Sequence, residues 1–211
     1  MQGDARQTLA AMPTPDKAAT ESFVASVFPD ANFGDPSGAD LSCTYVRGDT
    51  VIAGCFPGLR ILGASEVAID RPSRLPSKFI AAQGTTLLHA MHSVVDWFAF
   101  AIWEDGVLRR SLSVSPDNGV IEDVGERFAF ETPYWDGAHP AVDPQEESGS
   151  YPLAFHPLEL GEATLREFLG FELEGYVDPA LLKPEHIAMF KFEPSKSTPV
   201  LLDAKPWWKF W

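Results

Sequence analysis

A chain of 211 residues with 45% apolar and 12% aromatic content is long enough to bury a sizeable core and lies far from disordered compositions. Its formal net charge of −14 argues against nucleic acid or an anionic membrane as the main partner, and it suits a basic protein partner. Cys43 and Cys55 lack any CxxC or zinc spacing, no secretory signal opens the chain, and no apolar run is long enough to span a bilayer. These bounds imply a cytoplasmic α+β domain over residues 1–211, with reduced thiols and no cofactor.

In chain order, Asp4–Met12 is a short helix-prone segment. Thr14-Pro15 reads as an N-cap followed by proline at the first helical position. The stripe Thr20, Phe23, Val24, Val27, Phe28 predicts an amphipathic helix that stops before Pro29. Ala31–Asp40 has loop composition. Leu41–Val46 and Val51–Cys55 are expected to form a hairpin around Gly48-Asp49, which would bring Cys43 and Cys55 nearly opposite one another and within reach of a disulfide. Phe56-Pro57-Gly58 is a tight connection to Leu59–Leu62, and Leu75–Gln83 is expected to be a short helix closed by Gly84.

The stretch Leu87–Gly125 is the expected centre of the fold, a three-strand antiparallel meander in a mostly antiparallel sheet with helices packed on it. Asp105-Gly106 is a hairpin signal, because a type I′ turn needs φ > 0 at both central residues. That turn sets Glu104 against Val107, Trp103 against Leu108, Ala101 against Arg110, Ala99 against Leu112 and Trp97 against Val114. Residues Trp97–Trp103 are apolar on both sides, as suits a central strand covered above and below. Arg110 then falls on the core face, where a guanidinium needs an acidic partner, a route to solvent, or an anionic ligand. Ser115–Gly119 is a second turn, and Val120–Val124 a shorter, acidic strand near an edge.

Beyond it, Phe128–Ser150 reads as a long excursion holding Tyr134-Trp135-Asp136-Gly137 and His139-Pro140, and long loops often carry function. Glu162–Leu169 is an amphipathic helix stopped by Gly170, Pro179–Lys183 one turn, and Ile187–Phe192 a late strand. The aromatic tail Lys205–Trp211 is expected to strap across the body.

His89-Ala-Met-His92-Ser-Val-Val-Asp96-Trp97-Phe98, Ser113-Val-Ser-Pro-Asp117 and Tyr151-Pro-Leu-Ala-Phe-His156-Pro-Leu-Glu-Leu-Gly161-Glu162 resemble an uncharacterised family of actinobacterial proteins, over roughly residues 50 to 175. The resemblance implies a bacterial cytoplasmic protein and no particular activity. Members of that family place an apolar strand before the segment matching Gly3-Asp4. This chain opens with Met1-Gln2, so an exposed sheet edge is expected.

His89, His92 and Asp96 are the nearest approach to an acid/base or metal cluster. On a strand His89 and His92 face opposite ways, so shared ligation needs a bend near Ser93 and a further ligand such as His156 or Asp136. Satisfied structural histidines are the commoner outcome, and no metal is expected. No nucleophile elbow, catalytic-cysteine context or phosphate-cradling glycine pattern occurs, and Glu122-Asp123 and Glu146-Glu147 read as solvated surface. The leading expectation is a non-enzymatic interaction module for a basic protein partner, with Arg110, Tyr134, Trp135 and Asp136 as binding candidates. The alternative is a small-molecule enzyme, such as a hydrolase, in which His92, Asp96, Arg110 and His156 converge beneath the Phe128–Ser150 loop.

Overall fold

The computed structural model describes residues 3–43, 45–142, 151–175 and 178–195. In chain order it contains helices α1 (Ala5–Ala10) and α2 (Lys17–Val27), then strands β1 (Ser37–Asp40), β2 (Val51–Phe56), β3 (Leu59–Ala64), β4 (Thr85–His92), β5 (Trp97–Glu104), β6 (Val107–Ser115) and β7 (Gly119–Val124). Helices α3 (Thr132–Trp135) and α4 (Pro157–Leu169) and strand β8 (Ala188–Phe192) follow. Two four-stranded sheets result, ordered β1-β8-β2-β3 and β4-β5-β6-β7, with every strand pairing antiparallel. The architecture is α+β and mostly sheet. The aromatic tail lies outside the described residues.

The first sheet departs from the expected hairpin. Val51–Phe56 pairs with Leu59–Ala64 on one side and with β8 on the other, so both edges of β2 are taken and Leu41–Val46 has no place beside it. The strand that joins β8 is Ser37–Asp40, inside a stretch with loop composition. Cys43 is consequently exposed and Cys55 buried, both as free thiols. Helix α2 begins later than Thr14-Pro15 suggests, because the Asp16 carboxylate caps it by accepting from the Ala19 N–H at 2.9 Å. The expected helix over Leu75–Gln83 is absent. Pro76 disfavours helical backbone at Leu75, which sits at φ −53°, ψ 129° between two 3₁₀ turns, Pro72–Arg74 and Ser77–Phe79.

The second sheet holds four strands rather than three, because the first apolar run breaks at Ser93–Asp96. That turn contains no glycine; Asp96 supplies the left-handed residue at φ 47°, a conformation aspartate adopts more readily than most. The Asp105-Gly106 turn does set Glu104 against Val107 and Trp103 against Leu108. Beyond it a β-bulge absorbs Arg109, so Ile102 meets Arg110, Phe100 meets Leu112 and Phe98 meets Val114. Every pairing past Trp103 is thereby shifted by one residue from the unbulged register, and the better core face becomes the phenylalanine face.

On that face Phe98, Phe100, Ile102, Leu112 and Val114 are buried with Phe155 and with Leu160 of α4. Leu75, Leu88, Ala101 and Trp103 form a separate cluster on the opposite face, so β5 is covered above and below. Helix α4 starts at Pro157, five residues earlier than its apolar stripe indicates, with His156 as N-cap and Pro157 at N1. It lies so close to the sheet that a Cβ on Gly161 would stand 2.3 Å from Met91 Sδ and 3.1 Å from Phe98 Cδ2. On its other side Leu165 joins Ala5, Leu9, Ile52, Phe56 and Met189 in a third cluster, which ties α4 to the first sheet as well.

Candidate functional site

Burying aromatic residues on both sides of β5 forces its polar neighbours into defined roles. Arg110 is fully buried on the phenylalanine face. Its Nε and Nη2 donate to the Glu131 carboxylate at 3.0 and 2.7 Å, and Nη1 donates to Asp123 Oδ1 at 2.5 Å and to the Val124 carbonyl at 3.0 Å. Burial opposes the charge, but hydrogen bonds and ion pairs to Glu131 and Asp123 outweigh it and keep the guanidinium protonated. Arg110 thus faces carboxylates of its own chain. Asp123 also pairs with Arg127 at 3.0 Å, and Arg127 lies 3.7 Å over the Trp135 ring. Trp135 and Tyr134 in turn pack edge-on against buried Phe155, at 5.0 and 5.9 Å between ring centroids. Both are partly buried as part of the core beneath α4, whereas Asp136 is exposed.

The acid/base candidates divide. Imidazole Nε2 of His89 donates to the Gly161 carbonyl at 3.0 Å, and burial pushes its pKa down to about 4, so the ring is a neutral strut between β4 and α4. His92, at the end of β4, is exposed. The Ser93–Asp96 turn carries Asp96 towards the start of α4, where Asp96 Oδ2 and His156 Nε2 stand 3.5 Å apart, each about one-third exposed. Tyr151 stacks on His156 at 6.0 Å between centroids. Burial, helped by the Asp96 and Glu159 charges, pushes its phenol up, so the group stays a proton donor. The Tyr151 hydroxyl and the Trp135 indole N–H are buried without a hydrogen-bond partner among the described residues. Val94 and Val95 project from the tip beside Asp96, with 85% and 47% exposure. Asp96 and His156 therefore meet, while His92 stays at the surface and Arg110 in the interior. No group of three His, Cys, Asp or Glu side chains among the described residues could hold a metal ion.

A second location was not singled out by the sequence. After Gly170 closes α4 in the left-handed conformation, the chain turns back and forms a groove of about 590 Å³. Glu172, Glu174, Asp178 and Glu185 line it together with one cation, Lys183, and Leu173, Leu182 and Pro179 add apolar surface. Glu172 is buried and paired with Arg166, whereas Glu174, Asp178 and Glu185 are exposed. The Glu162 carboxylate, one turn before Arg166 on α4, accepts the Leu173 N–H at 2.7 Å and the Glu174 N–H at 3.0 Å, fixing this wall of the groove to the helix. Because these carboxylates become neighbours only through the reversal after Gly170, spacing alone gave no signal of them.

Among the described residues no helix is long and apolar enough to cross a membrane. Comparison with curated proteins and with solved structures gives no match. The model of one family of unknown function, DUF6928, matches residues 1–192, and the chain belongs to that family.

Proposed function

We propose that the protein is a non-enzymatic interaction module of the cytoplasm, and that it takes a basic segment of a partner protein in the groove beyond α4. The observation that carries this reading is the groove itself, in which exposed Glu174, Asp178 and Glu185 stand over apolar Leu173 and Leu182 with Lys183 as the one opposing charge. Carboxylates on a rim beside apolar surface suit an arginine or lysine, whose alkyl stem packs while its head finds an oxygen. The net charge of −14 adds a long-range field that would steer such a partner inwards and turn nucleic acid away.

The test is calorimetric titration with an octa-arginine peptide at roughly physiological salt, so that weak surface attraction is screened. Replacing Glu174→Gln, Asp178→Asn and Glu185→Gln together is expected to weaken binding at least about tenfold, the scale of a few charge-assisted contacts. A control with the same charge change on α2 and the following loop (Glu21→Gln, Asp30→Asn, Asp35→Asn) should bind nearly as the wild type does. Equal losses in the two triple variants would mean that only net charge matters, and the groove assignment would fall.

The second reading, a small-molecule enzyme acting as a hydrolase, is favoured by one observation, the approach of Asp96 to His156 at 3.5 Å beside Tyr151. An oriented imidazole is a general base in form. The pair lies at an exposed turn, with Arg110 engaged in the interior, so the groove supports the interaction reading better.

A further inference from the structure

Between the segment that leads into the 3₁₀ turn Pro72–Arg74 and the β6–β7 turn lies an open cleft of about 340 Å³, lined by Asp70, Arg71, Asn118, Val120 and Ile121. Buried Glu122 of β7 pins its two walls together. It accepts the Ser73 N–H at 2.9 Å and the Ser73 hydroxyl at 2.7 Å, and it takes a third hydrogen bond from the Ser111 hydroxyl. We propose that this cleft binds the zwitterion of a free α-amino acid with a small aliphatic side chain, its carboxylate on Arg71 and its ammonium on Asp70. The cleft shares no lining residue with the groove beyond α4, so the proposal is independent of the partner reading.

The assignment follows from which polar groups are engaged and which are not. Glu122 is satisfied by neutral donors, so its charge acts on Arg71 without a hydrogen bond that would tie the guanidinium down. Among the described residues the side chains of Asp70 and Arg71 form no hydrogen bond or ion pair. The Asn118 backbone N–H and its Nδ2 both donate to Ser115 Oγ at 3.2 Å, which leaves Oδ1 as an acceptor. The lining thus offers a fork of donors, a carboxylate, an amide oxygen and the apolar surface of Val120, 46% exposed, beside half-buried Ile121. A ligand carboxylate suits the Arg71 fork, but a simple anion there would also face Asp70, Glu122 and a chain of net charge −14. A simple cation would answer Asp70 and be repelled by Arg71. A ligand that carries both groups on one carbon meets each charge with its opposite, and its ammonium has a further donor for Asn118 Oδ1. A peptide terminus carries one of the two charges, so the pair selects the free amino acid. The volume lies at the low end of ligand pockets, roughly 300–1,000 Å³, and this favours a short side chain against Val120 and Ile121.

The experiment is an amide NMR titration of the full chain with L-valine, with isovalerate, which lacks the ammonium, and with isobutylamine, which lacks the carboxylate. L-Valine is expected to shift the signals of Arg71, Asn118, Val120 and Ile121 and to saturate with a Kd on the order of 1 mM, a scale set by its small size. Each single-charge analogue should bind at least about tenfold more weakly, through the loss of one charge-assisted contact. Arg71→Gln and Asp70→Asn should each weaken L-valine by the same factor, whereas Arg74→Gln, outside the lining, should leave its affinity unchanged. All three side chains are exposed, so these variants leave the core intact. No saturable shift at these positions up to about 20 mM L-valine would overturn the site. Isovalerate or isobutylamine binding as tightly as L-valine would overturn the zwitterion assignment, because one of the two charges would then have no part in it. An equal loss in Arg74→Gln would mean that local positive charge rather than the cleft attracts the ligand, and the assignment would fall.

Discussion

Arg110 shows how one residue can constrain a whole face of a sheet. A guanidinium among Phe98, Phe100 and Leu112 is tolerable only because Glu131 meets it in a two-pronged arrangement and Asp123 takes a third N–H. Glu131 also accepts the Phe128 N–H at 2.9 Å, so the pair fixes where the chain goes after β7. Breaking one side of a fully buried pair strands the other charge, and that loss is larger than the net value of the pair. Glu131→Gln is therefore expected to destabilise the fold by about 3 kcal/mol or more, read from the midpoint of urea unfolding. The joint change Arg110→Met with Glu131→Leu should cost less than Glu131→Gln alone, because it removes both buried charges and leaves Asp123 partly in water. If the single change cost under about 1 kcal/mol, the pair would not be holding this face together. The requirement for an acidic partner could be read from Arg110 in the sequence, but the identity of the partner could not, since Glu131 lies 21 residues away across a strand and a turn.

For the elements, what was legible followed local chemistry and what was not depended on contacts distant in sequence. The stripe of α2, the Asp105-Gly106 turn, the stop at Gly170 and the late strand are each written in a few consecutive residues. The bulge at Arg109 is not, because both registers satisfy the turn and only burial of the phenylalanine face selects one. The break at Ser93–Asp96 carries no local turn signature, because aspartate stands where glycine usually marks a turn. Nor does spacing reveal that Asp96 and His156 approach, since that depends on how closely α4 sits on β4 and β5. Gly161 sets that distance. Gly161→Ala would drive a methyl group into Met91 and against Phe98 while adding helix propensity, and overpacking should win with a net loss of about 1–3 kcal/mol. Thermal unfolding measures the loss. A companion Met91→Ala in the Gly161→Ala background should recover part of it by opening room for the methyl group. If Gly161→Ala were neutral or stabilising, the close approach of α4 would not be what fixes the Asp96–His156 geometry.

Across the whole molecule, 30 acidic residues against 16 basic ones leave a surface that repels itself. Long-range repulsion among exposed carboxylates is screened over about 10 Å at 0.1 M salt, whereas the Arg110–Glu131 pair, with both side chains fully buried, is largely shielded from salt. The exposed ion pairs that salt would weaken, such as Arg109–Glu104 and Lys78–Glu66, are each worth no more than about 1 kcal/mol. Relief of repulsion should therefore dominate, and the unfolding temperature is expected to rise by a few degrees as sodium chloride goes from about 0.02 to 0.3 M. Over the same range the affinity for octa-arginine should fall steeply, because salt screens the attraction between peptide and groove just as it screens repulsion within the protein. The opposite signs of the two responses provide the check. Stability and peptide affinity falling together would mean that surface ion pairs, rather than excess negative charge, govern this protein's electrostatics, and the argument that its acidity steers a basic partner would lose its basis.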